Sequence, residues 1–155
     1  MSHPSTTVHK FGGAALADLS AFRHAAEIVA SHGGARPVIV VSAMRGVTDA
    51  LNTAASSSAP KARATLATLE SRHRAVARGL AANAAHGAQL TAVIHTAFAE
   101  LIRLCTRRRK GLLDAQHLDF VISRGEVLAA SLMVAALGQR ALNAVAIDAR
   151  CPSAR

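Results

Sequence analysis

Lys10-Phe11-Gly12-Gly13 is the first run in this sequence whose residue types could do chemistry. A lysine at the end of a short strand supplies a mobile positive charge, and two glycines let backbone N–H groups approach a ligand without Cβ obstruction. That combination suits phosphate binding, with a plain Gly-Gly turn as the alternative. The spacings G-x-x-x-x-G-K-[ST] and G-x-G-x-x-G are absent, so this is neither a P-loop nor a dinucleotide fingerprint. The second run is Val41-Ser42-Ala43-Met44-Arg45-Gly46-Val47-Thr48-Asp49, where an apolar strand ends in small residues and a helix begins. Ligands of α/β sheets bind at such carboxyl ends of strands. The Ser42 and Thr48 hydroxyls could donate to a carboxylate or phosphate; alternatively, Thr48 or Asp49 simply caps the helix. The third run is Ser123-Arg124-Gly125-Glu126. Ser123 and Glu126 are three apart and share a helix face. A carboxylate there could hold a substrate ammonium group, or could be a surface glutamate paired with Arg124 or another arginine.

The remaining reactive side chains point to no further centre. His9, His24, His32, His73, His86, His95 and His117 lack H-x-x-x-H or HExxH spacing, and His3 lies near the N-terminus, so no metal site is expected. Cys105 sits in an apolar helical pattern and reads as a core thiol, and Cys151 is far from it. No disulfide scaffold is implied.

The elements that must position these runs follow from periodicity. Thr7 to Phe11 reads as a short strand, and Asp18 can cap a helix over Leu19 to Ser31. Phe22, Ala26 and Val29 lie on one face of that helix, which His32-Gly33-Gly34 ends. Pro37 to Val41 is an unbroken β-branched run, which predicts a buried central strand of a parallel sheet. Strand, helix, strand makes a βαβ unit. A helix follows from Gly46 to Ala55, then a loop over Ser56 to Pro60. Two long helices over about 61–84 and 87–108 read as an insertion packed beside the sheet, the second with a stripe of Leu90, Val93, Ile94, Phe98, Leu101 and Ile102. A helix over Asp114 to Leu137 and a third strand over Ala144 to Asp148 complete the pattern.

Composition bounds the function. The chain has 155 residues, enough for one domain with a real core, and 51% are hydrophobic, which excludes a disordered chain. Much of this is alanine, which favours helix but buries little area per residue. A formal charge of +9 admits a phosphate-bearing partner. The dense cluster Arg107-Arg108-Arg109-Lys110 is better placed to complement a helix C-terminus. No Trp or Tyr is present for base stacking, so no nucleic-acid partner is expected. No signal peptide is legible and no apolar run reaches about 20 residues, so no membrane partner is expected and a soluble cytoplasmic protein is.

Taken in order, the three runs resemble the aspartate kinases of the amino acid kinase family. These enzymes begin with K-F-G-G, continue with V-V-S-A-M-x-G-V-T-D and carry an S-x-G-E helix. The resemblance spans Val8 to about Arg150. It implies a three-layer α/β/α fold of which this chain supplies the N-terminal half, with a mostly parallel sheet and a helical insertion over 7–150, a disordered tail over 1–6 and a non-matching tail over 151–155. It further implies transfer of the γ-phosphoryl group of ATP, carried with Mg²⁺, to the β-carboxylate of L-aspartate. Lys10 would neutralise charge on the transferred group, Gly12, Gly13 and Ser42 would serve the phosphate side, and Thr48, Ser123 and Glu126 the amino acid, with Glu126 on its ammonium. The family usually follows K-F-G-G with Thr-Ser; here Ala14-Ala15 removes two hydroxyls. The family's G-R-G-G-S-D-type segment and nucleotide pocket are not seen before Arg155, so a truncated, poorly active form is expected. A homodimer or a complementing chain could complete the sheet, and the alternative is a non-catalytic assembly module.

Overall fold

The structure, a computed structural model, describes residues 6–32, 36–107 and 113–149. Gly33-Gly34, Arg108 to Lys110, Cys151 and the two expected tails, except Thr6, lie outside the described residues. Strand β1 (Val8–Phe11) leads through a 3₁₀ turn (Gly13–Leu16) into helix α1 (Leu19–His32) and strand β2 (Val38–Val41). Helices α2 (Val47–Ser56), α3 (Ala59–Leu80), α4 (Ala84–Thr106) and α5 (Ala115–Gly138) follow. β1 and β2 pair in parallel, in register from Val8 opposite Val38 to Phe11 opposite Val41. The βαβ unit is therefore present. Asp18 starts α1 as expected: its carboxylate accepts from the Ser20 hydroxyl at 2.6 Å and the Ala21 N–H at 3.0 Å. Those two donors, the hydroxyl first, hold its carboxyl below the ordinary range.

The core lies on one side of this sheet. Phe22, Ala26 and Val29 of α1 are buried, as their spacing predicts. α5 is the central helix, with Val121, Gly125, Leu128, Leu132 and Met133 buried against its neighbours. Asp114 caps it by accepting from the His117 N–H at 2.8 Å. α5 is also long and apolar enough to cross a membrane by length and composition, contrary to the expectation that no such run exists. Half of that apolar stretch is buried inside the fold, as in the core helix of a globular domain.

Five expectations change. Ala144 to Asp148 forms no strand; Val145 and Ile147 are 85% and 81% exposed, and no ladder forms there among the described residues. β2 is not a buried central strand, because its Val38 and Val40 share a bare face with Val8 and Lys10. Among the described residues no second helical layer covers that face. The α3–α4 hairpin packs chiefly on itself, α2 and α5 rather than beside the sheet. Val93 lies outside the buried stripe of α4, at 48% exposed. Finally, the expected loop over Ser56 to Pro60 shrinks to Ser57-Ser58, since Pro60 fits the first turn of α3, where no N–H is required.

The hairpin core contains one buried histidine. His73 donates from Nδ1 to the Leu69 carbonyl at 2.7 Å, while its Nε2 has no hydrogen-bond partner and its ring tilts against Phe98. Burial, with Arg72 assisting, pushes the imidazole below its ordinary 6.5, against the Leu69 bond. The unfolded chain therefore takes up a proton at a pH where the folded chain does not. Stability should fall as pH drops below about 6.5 and level off once His73 also protonates in the folded state. His73→Leu should remove this part of the acid loss. Urea midpoints at neutral and acidic pH measure it, and an unchanged slope would refute it.

Candidate functional site

The three chemical runs meet at one residue, Ala43. β1 ends at Phe11, whose carbonyl accepts from the Ser42 N–H at 3.0 Å, so the strand ladder carries the two loops away side by side. A methyl group at Gly13 would stand 2.9 Å from the Ala43 carbonyl oxygen, so a side chain is excluded there by the second loop. On the other side, a methyl at Gly125 would stand 2.8 Å from the Ala43 Cβ and 3.0 Å from Val47 Cγ1. Ala43 is thus pinched between the Gly-Gly loop and α5.

The loop after Ala43 turns sharply. Gly46 has φ 74° and serves as N-cap of α2, a left-handed conformation that glycine adopts without strain. Neither Thr48 nor Asp49 caps this helix, so that alternative falls. Thr48 occupies the exposed first turn of α2. The loop is strapped to the hairpin by Arg72, which donates to the Arg45 carbonyl at 3.1 Å.

Around this junction the expected site residues are differently placed. Lys10 is exposed, opposite Val40 on the bare face of the sheet, and has no ion pair among the described residues. Gly12 is exposed, and a methyl there would meet nothing within 4 Å, which leaves open space for a ligand. The half-buried Ser42 has no side-chain partner among the described residues. Glu126 follows the buried Gly125 and is exposed. It does not pair with Arg124, which instead reaches Glu100 at 3.4 Å and lies 4.0 Å over the Phe120 ring. Glu126 has no ion-pair partner among the described residues. Ser123 is turned into its own helix and donates to the Phe120 carbonyl at 3.0 Å.

The Gly-Gly loop, the loop after β2 and α5 thus meet at the carboxyl end of a parallel βαβ unit, with Gly13 and Gly125 both against Ala43. The Gly12 opening and the uncompensated Lys10 fit a phosphate group. Among the described residues no three His, Cys, Asp or Glu side chains converge to hold a metal. Sequence reasoning missed the role of Ala43 and the Arg72 strap. A glycine inside an apolar helix face is the signal that could have found the first; nothing marks the second.

Comparison with known proteins decides the family. The model of the amino acid kinase family matches residues 5–151. The chain belongs to that family. Among solved structures, E. coli aspartokinase III in complex with lysine and aspartate (T-state) shares the fold, with a TM-score of 0.77 at 23% identity over 89% of this chain. The same enzyme in complex with aspartate and ADP (R-state) gives 0.71 at 22% identity over 88%. The chain spans 30% of the length of each. No match is found among curated proteins. In this amino acid kinase family member the K-F-G-G loop and the S-x-G-E helix both pack against Ala43.

Proposed function

We propose that this chain forms the amino-acid and phosphoryl side of a kinase site that transfers the γ-phosphoryl group of ATP to the β-carboxylate of L-aspartate. The observation that carries this reading is the convergence of the three runs on Ala43. The aspartate and ADP bound by the similar aspartokinase III support the choice of substrates. In this reading the Lys10 ammonium offsets charge on the transferred group, and backbone N–H groups at Gly12 and Gly13 approach its oxygens. Ser42 and Thr48 donate hydroxyl hydrogen bonds, Ser123 sits beside them, and Glu126 pairs with the aspartate ammonium. A carboxylate oxygen attacks the γ-phosphorus, ADP leaves, and positioning with charge neutralisation supplies the rate. Magnesium travels with the ATP phosphates. The setting is cytoplasmic, where ATP is available.

Calorimetric titration of the chain with L-aspartate tests the substrate assignment. Weak, saturable binding is expected, reduced about tenfold or more by Glu126→Gln, which removes a charged hydrogen bond. Binding that ignores this substitution would remove Glu126 and the aspartate assignment with it. A second reading, a non-catalytic half that pairs with another chain, is favoured by the bare face of Val8, Val38 and Val40. An associated mass in light scattering, without aspartate binding, would select it.

A further inference from the structure

Arg74 and Arg78 stand one turn apart on α3 and so share a face. That face forms one wall of an open groove of about 900 Å³, whose other wall is the first half of α4. None of the lining residues belongs to the three runs around Ala43. The groove is therefore separate from the kinase site and does not rest on that reading.

Its walls carry more donors than acceptors. Two like charges one turn apart repel. The carboxylate within reach is Glu70, and one of its oxygens is shared: it accepts from His95 Nδ1 at 3.1 Å and lies 3.8 Å from the Arg74 guanidinium. Arg78 has no ion pair among the described residues. Arg74 Nε is shut off from solvent and has no acceptor, a state that buried N–H groups rarely tolerate. Opposite the two guanidinium groups, Ala84, Gly87, Ala88 and Ala92 make a smooth apolar wall, with Thr91 adding a hydroxyl. The volume falls within the roughly 300–1,000 Å³ of small-molecule sites.

The geometry points to a ligand site for a small organic oxyanion, whose carboxylate or phosphate bridges Arg74 and Arg78 while its carbon skeleton lies on the alanine wall. Guanidinium forks bind both headgroups in the same two-point manner. A ligand of this class relieves the repulsion between the arginines and covers apolar wall at once.

The test uses the whole chain with succinate and, separately, inorganic phosphate, each titrated at constant ionic strength against a sodium chloride control. The ring signals of His95 in proton–carbon NMR report on the groove, and those of His24 and His32 report on exposed sites elsewhere. His95 signals are expected to shift saturably with at least one titrant, whose identity assigns the headgroup, while His24 and His32 stay in place. Arg78→Gln should raise the apparent Kd tenfold or more; Lys10→Ala should leave it unchanged. Among the described residues Arg78 makes no ion pair whose loss would disturb folding, and circular dichroism checks this. A His95 shift reproduced by chloride, no shift with either anion, or an Arg78→Gln chain that binds as tightly would each overturn the site.

Discussion

Gly125→Val should cost the fold about 3 kcal/mol or more, the largest stability loss expected of any single change near the site. A single methyl at this position already stands 2.8 Å from the Ala43 Cβ and 3.0 Å from Val47 Cγ1. Valine adds two more carbons to that contact. Its branched Cβ also restricts χ1 in a helix, so it has little freedom to turn aside. The neighbours cannot give way: Ala43 belongs to the loop after β2, and Val47 is wholly buried in the first turn of α2. Urea denaturation measures the loss. Gly125→Ala separates the contact from helix propensity, because alanine is the better helix former by about 1 kcal/mol. A net loss with Gly125→Ala, recovered by adding Ala43→Gly, would locate the strain at the Ala43 contact. If Gly125→Val leaves the urea midpoint in place, α5 does not press on the loop as described.

The second large effect concerns Lys10. Lys10→Met keeps the length of the side chain and removes its charge. In any form of the protein that turns over, acyl phosphate trapped as hydroxamate should fall about 10²–10³-fold, the usual consequence of losing one preorganised group on developing charge. Lys10 is exposed and makes no ion pair among the described residues, so the fold should not change. Its partner Val40 on β2 is an apolar neighbour that offers no compensating charge. The loss should appear in kcat with the KM for aspartate little altered, because in this reading Glu126 rather than Lys10 holds the amino acid. Unchanged turnover would take Lys10 out of the mechanism.

Much of the fold was legible because its signals are local. The Asp18 cap, the Phe22–Ala26–Val29 face and the starts of α2 and α5 depend on neighbours a few residues away, and the structure places them within a residue or two of expectation. The strand over Ala144 to Asp148 failed for the opposite reason. Its β-branched residues meet the local preference for a strand, but a strand also needs a ladder, and among the described residues no ladder forms there. The unbroken β-branched run of β2 misled in the same way: it announces two buried faces, and the described residues cover only one. At the site, the motifs gave the residue types, but their meeting depends on long-range packing. That the Gly-Gly loop and α5 touch the same alanine can be read only from the folded chain.

The bare valine face carries a thermal consequence. Val8, Val38 and Val40 are 63%, 48% and 45% exposed on one continuous surface, so whatever closes over them is driven by release of water from apolar area. That driving force is almost wholly entropic near room temperature and fades on cooling. Any contact that buries this valine surface should therefore be weakest in the cold.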